Sequence, residues 1–252
     1  MAHKVAFITG GDRGLGRSMA LHCADRGVDV ILTYRANETA AAEVVSLIQA
    51  KGREAAALRL DTSAVSSFDR AVAELKSILQ ETFRTERFDF LVNNAGFGVH
   101  APFAETTEKQ FDDLLNVHFK GVFFLTQKLL PLIKDGGRIL NVSSGLARFS
   151  LPGYCAYASM KGAVETLTKY LAKELGPRGI AVNVVAPGAI ATDFGGGVVR
   201  DNPEVNKFIA SGTALGRVGQ ADDIGGVVAT LLSEDCRWIN GQRIEVSGGV
   251  FL

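Results

Sequence analysis

The sequence predicts a doubly wound α/β fold, a seven-stranded parallel sheet with helices on both faces. Short β-branched apolar runs alternate with longer amphipathic segments along the whole chain, as repeated βαβ units require. The runs are apolar at consecutive positions, which suits strands buried on both faces. The first run leads directly into a glycine-rich turn and then a helix-forming segment.

Strands are expected at 5–9, 30–33, 56–60, 88–92, 138–142, 181–185 and 243–246. Helices are expected between them at 14–26, 38–51, 65–82, 108–134, 156–174 and 222–232. No linker, low-complexity block or internal repeat interrupts the pattern, so residues 1–252 read as one domain. The stretch 193–219 breaks the rhythm with Gly195, Gly196 and Gly197 in a row. Following a strand end, it reads as a substrate lid hinged on glycine, with a plain surface insertion as the alternative.

At 252 residues and 47% hydrophobic content the chain can bury a substantial core. Lys plus Arg equals Asp plus Glu at 27 each, so no excess positive field exists to gather nucleic acid or an anionic membrane. Cys23, Cys155 and Cys236 are odd in number and widely spaced, arguing against a disulfide framework or a metal site. His3, His22, His100 and His118 show no ligand spacing either, and His118 reads as a packing or interface residue. The apolar run after Lys4 is too short for a signal peptide, and no stretch approaches the ~18 apolar residues of a membrane span. A cytoplasmic protein acting on small molecules is expected.

The first turn reads Thr9-Gly10-Gly11-Asp12-Arg13-Gly14-Leu15-Gly16. Glycines allow a tight turn and let a pyrophosphate approach a helix N-terminus, whose free N–H groups and dipole favour anions. The spacing differs from G-x-G-x-x-G, and a structural strand-to-helix turn is the competing explanation. After the second strand comes Tyr34-Arg35, with no carboxylate to hydrogen-bond an adenosine ribose. A guanidinium there suits a 2′-phosphate, with Arg13 close in the turn, so NADP(H) is favoured over NAD(H). An Arg following a strand can equally be a solvated residue.

Three further clusters sit after predicted strands: Asp61-Thr62, Asn93-Asn94-Ala95-Gly96, and Pro187-Gly188-Ala189-Ile190-Ala191-Thr192. Each falls at the carboxyl edge, where open parallel sheets bind ligands. Tyr157 and Lys161 open a helix at i, i+4 spacing, on one face, and Ser144 precedes Tyr157 by thirteen residues. A phenol needs a nearby cation to exchange protons near neutrality, because its free pKa is about 10.

Taken in order, these motifs resemble those of the short-chain dehydrogenase/reductase family over essentially the whole chain. The resemblance implies a Rossmann-type fold binding a nicotinamide cofactor. Gly10, Arg13, Gly14, Leu15 and Gly16 would hold its pyrophosphate, Tyr34, Arg35, Asp61 and Thr62 its adenosine end, and Asn93, Ala95 and Gly96 would line the cleft. Pro187, Gly188, Ile190 and Thr192 would receive the nicotinamide amide, and Lys161 the nicotinamide ribose. It further implies a catalytic set of Asn116, Ser144, Tyr157 and Lys161, in which Ser144 holds a carbonyl oxygen and Tyr157 exchanges the proton. Lys161 would lower the Tyr157 pKa, and Asn116 would hold a relay water. The expected activity interconverts a ketone and a secondary alcohol. A 3-ketoacyl carrier-protein reductase is an alternative, marked by a basic patch built from Arg148, Arg200 or Lys207. A non-catalytic dinucleotide sensor is another. No metal is implied. The resemblance also implies a homotetramer or homodimer, with the helices at 108–134 and 156–174 packing across a two-fold axis. Ser247-Gly248-Gly249 departs from the family's final D-G-G by Ser for Asp.

Overall fold

The structure is a computed structural model and describes residues 4–252; His3 lies outside them. All seven expected strands form, at Val5–Ile8 (β1), Asp29–Tyr34 (β2), Ala55–Arg59 (β3), Phe88–Asn93 (β4), Ile133–Val142 (β5), Ala181–Pro187 (β6) and Arg243–Val246 (β7). They make one parallel sheet in the order β3-β2-β1-β4-β5-β6-β7. The order reverses between β1 and β4, and such a switch point opens a crevice at the carboxyl edge of the sheet.

Six helices pack on this sheet: Gly14–Asp25 (α1), Glu38–Ala50 (α2), Phe68–Glu81 (α3), Val122–Leu129 (α5, which follows α4 at Glu108–Leu115), Cys155–Glu174 (α6) and Ala221–Leu231 (α9). One apolar layer joins α1, α2 and α9 to one face of the strands through Met19, Val44, Ile48, Ile224 and Val228. The other packs Phe68, Leu75 and Leu79 of α3 with Leu125 and Leu129 against Phe7, Leu91 and Val182. Both faces are therefore dry, as the continuous apolar runs required.

The expectation of one helix over 108–134 is corrected. Residues Glu108–Leu115 (α4) are α-helical, Asn116–Gly121 form a π-helical turn, and Val122–Leu129 (α5) resume the α-helix. Pro131 lies in a short 3-10 turn after α5, and the chain enters β5 at Ile133. Proline lacks the N–H that a continuing helix needs, which ends the helix before residue 134. The region expected as helix 65–82 likewise starts with a 3-10 turn, Val65–Ser67, before α3.

Residues 193–219 leave the sheet edge as a separate excursion. Gly195, Gly196 and Gly197 all have positive φ, at 62°, 76° and 79°, and lead into Val198–Asp201 (α7) and Pro203–Ser211 (α8). Asn202 caps α8 by accepting from the Glu204 and Val205 amides. The excursion is tied back by bridges pairing Ile190 with Gly219 and Thr213 with Val250.

Candidate active site

The glycine turn follows β1 at the switch point. Gly10 and Gly14 hold φ of 63° and 53°, a conformation disfavoured for residues with a Cβ. A Cβ at Gly16 would overlap the Gly10 carbonyl oxygen, and one at Gly11 would lie 2.7 Å from the Leu32 Cβ. The N-cap residue of α1, Arg13, makes no side-chain cap, and no acidic residue occupies the first turn. The helix thus presents free N–H groups and an uncompensated positive dipole end, a cradle suited to the phosphates of a dinucleotide.

Thr9 and Asn94 set the shape of this cradle. The Thr9 hydroxyl accepts from the Asn94 and Ala95 amides at 2.9 Å each, and the Asn94 side chain donates to the Thr9 and Gly10 carbonyls at 2.9 and 3.1 Å. Asn93, one position earlier, donates instead to Thr126 Oγ1 and Asn141 Oδ1, at 3.0 and 2.9 Å, inside the sheet. Both its donors are spent there, and Asn94 is the bracing residue that sequence reasoning missed. Gly14 faces Thr192 across the cleft, since a Cβ on it would meet the Thr192 side chain at 3.7 Å. Gly188 packs on Ser247, at 2.9 Å on the same construction, and its amide donates to the Val246 carbonyl.

Tyr34 is buried at the end of β2, whereas Arg35, Arg13 and Glu38 are exposed. Burial is the largest influence raising the Tyr34 pKa, followed by Glu38. Burial raises the Asp61 pKa, but the hydrogen bonds from Ser63 and, to a smaller extent, the charge of Arg35 bring it below the usual carboxylate value. Asp61, Thr62 and Ile190 are half-buried at the same edge.

Ser144, Tyr157 and Lys161 come together at the end of β5 and the start of α6. Adjacent residues of an extended chain point to opposite sides, and here Ser143 and Ser144 part company. The Ser143 hydroxyl donates to Glu165 Oε1 at 2.6 Å, whereas the Ser144 hydroxyl accepts from the Leu146 amide at 3.2 Å and lies close enough to the Tyr157 phenol to lower its pKa. Glu165 also accepts from Arg243 Nε at 2.7 Å. The Lys161 ammonium donates to the Val142 carbonyl at 2.7 Å and stands 5.6 Å from the centre of the Tyr157 ring. Burial raises the Tyr157 pKa, which the Ser144 hydrogen bond opposes; burial lowers that of Lys161 to about 7.

Asn116 opens the π turn, and its carbonyl lies 2.8 Å from where a Gly121 Cβ would sit. Leu114 packs with Tyr157 and Met160, and the His118 ring stands edge-on to Tyr157 at 5.1 Å. Of the side chains in this turn, the one whose ring stands edge-on to Tyr157 is His118. Phe194 approaches Tyr157 from the excursion, at 5.8 Å between rings.

A family model described as enoyl-(acyl carrier protein) reductase matches residues 10–251. The hydroxynaphthalene reductase-like protein of Metarhizium brunneum is 36% identical over 261 residues, covering 99% of this chain and 95% of that one. This chain belongs to the short-chain dehydrogenase/reductase family. It is an oxidoreductase of that family, which sets aside the non-catalytic sensor. Among solved structures, the reductase LugOII, described as catalysing keto-reduction at C1 during lugdunomycin biosynthesis, superposes with a TM-score of 0.93. It is 39% identical, covering 99% of this chain and 98% of its own. The angucycline C-6 ketoreductase LanV, solved with bound NADP, also gives 0.93 at 36% identity, covering 98% and 95%. No helix among the described residues is long and apolar enough to cross a membrane, and none of them forms a metal-binding cluster.

Proposed function

We propose that the protein is an NADP(H)-dependent carbonyl reductase that converts a ketone to a secondary alcohol. The observation that carries this is the convergence of Ser144, close enough to Tyr157 to lower its pKa, with a buried Lys161 one helical turn further on that is held by the Val142 carbonyl. When bound, the dihydronicotinamide supplies a hydride, the chemistry that no side chain here can provide. Ser144 donates to the substrate carbonyl oxygen and favours the charge that develops on it. Tyr157, whose phenol burial keeps protonated at neutral pH, gives its proton to that oxygen. Lys161 stabilises the phenolate left behind and binds the nicotinamide ribose.

The preference for NADP(H) rests on Arg35 beyond β2, with Arg13 in the turn and no carboxylate at the β2 end, and it agrees with the NADP bound by LanV. The substrate reading is a ketone on an apolar ring system. Phe194 over Tyr157 supports it, as do relatives whose names carry a hydroxynaphthalene or an angucycline. The family model's description favours a second reading, a carrier-protein-bound ketone. Against it, Arg148 is paired with Glu245, and Arg200 with Asp193 and Asp201, which leaves Lys207 alone of the three expected basic residues without an ion pair among the described residues.

The excursion 193–219 serves as the substrate lid of a single domain. The protein is cytoplasmic and a homo-oligomer, a dimer or tetramer, for which Phe111, Phe123 and Tyr170, exposed on α4, α5 and α6, supply apolar contact area. Assaying fused-ring and aliphatic ketones with NADPH and NADH tests the proposal. Faster turnover of fused-ring ketones with NADPH is expected, and no oxidation of either cofactor with any ketone would overturn it.

A further inference from the structure

His118 is 1% exposed, and its ring has two different ends. Nε2 lies 2.7 Å from the Phe97 carbonyl oxygen and 3.3 Å from the Phe97 amide nitrogen. The shorter contact places the proton on Nε2, because a bare nitrogen so close to a carbonyl oxygen would set lone pair against lone pair. Nδ1 is then an unprotonated acceptor, buried and without a protein partner. Buried polar atoms of this kind are nearly always hydrogen-bonded. The ring packs closely on the Gly96 backbone, where a Cβ would lie 2.6 Å from Cε1 and 3.2 Å from Nδ1, so only a glycine there lets the ring sit at this depth. Lys161 is near enough to disfavour a second positive charge on the ring, which burial disfavours more strongly; the Phe97 bond works the other way.

We infer that His118 is a positioning residue of the proton relay: its Nδ1 accepts a hydrogen bond from a water that in turn contacts the Lys161 ammonium. The inference rests on the reductase reading above. Each reduction takes one proton from solvent. The Tyr157 O–H bond breaks as the proton moves to the substrate oxygen, and a Lys161 N–H bond breaks to restore the phenol. The neutral Lys161 amine then takes a proton from the held water, which regains one from bulk solvent. His118 stays neutral throughout and fixes the direction from which the proton arrives.

Three variants separate this role from packing. His118→Asn keeps an acceptor near the Nδ1 position, His118→Gln moves it toward Nε2, and His118→Phe keeps the ring shape with no acceptor. The expected result is a fall in kcat of about 10- to 100-fold for His118→Phe and His118→Gln, with KM for ketone unchanged and a larger solvent deuterium isotope effect. His118→Asn is expected within about threefold of the parent. Apart from turnover, 15N NMR of the cofactor-free protein should show Nδ1 unprotonated and Nε2 protonated. Parent-like kcat and isotope effect in His118→Phe, equal losses in all three variants, or a protonated Nδ1 would each overturn the inference. Failure of the unmodified protein to reduce any ketone would instead defeat the reductase reading, and the NMR result stands apart from it.

Discussion

Burial raises the pKa of the Tyr157 phenol, and the Ser144 hydroxyl lies close enough to work against that rise. The pair places a hydroxyl donor and a proton source side by side. Tyr157→Phe keeps the ring and its contacts with His118 and Phe194 but removes the proton. Turnover should fall by at least about a thousandfold while NADPH affinity, read by fluorescence titration, changes less than about threefold. Ser144→Ala should lose about 100-fold in kcat, the scale seen when one donor to a developing oxyanion is removed.

Burial of Lys161 without a carboxylate partner makes its charge a liability to the cofactor-free fold. Its pKa falls from 10.5 to about 7, so between those values the unfolded chain holds the proton more tightly than the folded one. The penalty is complete below about pH 7 and fades as the pH rises toward the unfolded value. Lys161→Met should therefore raise the melting temperature by on the order of 5 °C at pH 6.5, and by much less at pH 10. Calorimetry of the two proteins across that range checks the sign, and a gain that grows with pH would contradict it.

Arg35 is exposed just beyond β2, where the proposed reading sets the adenosine end of the cofactor. Arg35→Ser should raise KM for NADPH by about 10- to 100-fold, the scale of a lost charge-assisted hydrogen bond, and leave KM for NADH nearly unaltered. Initial rates with both cofactors at saturating ketone decide it.

Glu245 anchors the floor under β5, β6 and β7. It accepts from Arg148 Nε and Nη2 at 2.7 Å each, from Arg243 Nη1 at 2.8 Å and from Ser247 at 2.9 Å. Burial pushes its pKa up, yet these bonds outweigh it and bring the value to about 2. Stability from this group is present above the unfolded pKa near 4.5 and is lost as the pH falls toward 2. Glu245→Gln should cost about 1–2 kcal/mol at pH 7, with solvent screening reducing the larger figures of fully buried pairs, and close to nothing at pH 2. Urea unfolding at the two pH values reads the difference.

The layered sheet was legible because burial on both faces leaves an apolar run at every strand, and because each glycine or polar cluster marks a strand end. Those same dry faces hid the finer choices. Where both sides of a strand are buried, apolar periodicity does not say which of Asn93 and Asn94 turns toward the cleft, and only the hydrogen bonds to Thr126 and Thr9 distinguish them. Ser143 and Ser144 were separable by their spacing to Tyr157, and the Glu165 contact supplies the physical reason. Helix periodicity likewise ran smoothly across the segment after Leu115, because one widened turn leaves the apolar pattern nearly intact. The signal available for His118 was its position four residues after Leu114, a polar ring on an apolar face.

The widened turn at Asn116–Gly121 holds residues in a 4.4-per-turn winding between two ordinary helices, and Gly121 is pressed so close to the Thr62 carbonyl that a side chain would not fit. Removing one residue here would let the turn revert to ordinary α-helical winding with Leu125 and Leu129 still on the sheet, whereas inserting another would rotate α5 by roughly 100° about its axis. Length in this segment is thus open to change in one direction only, by loss of the extra residue and not by a further gain.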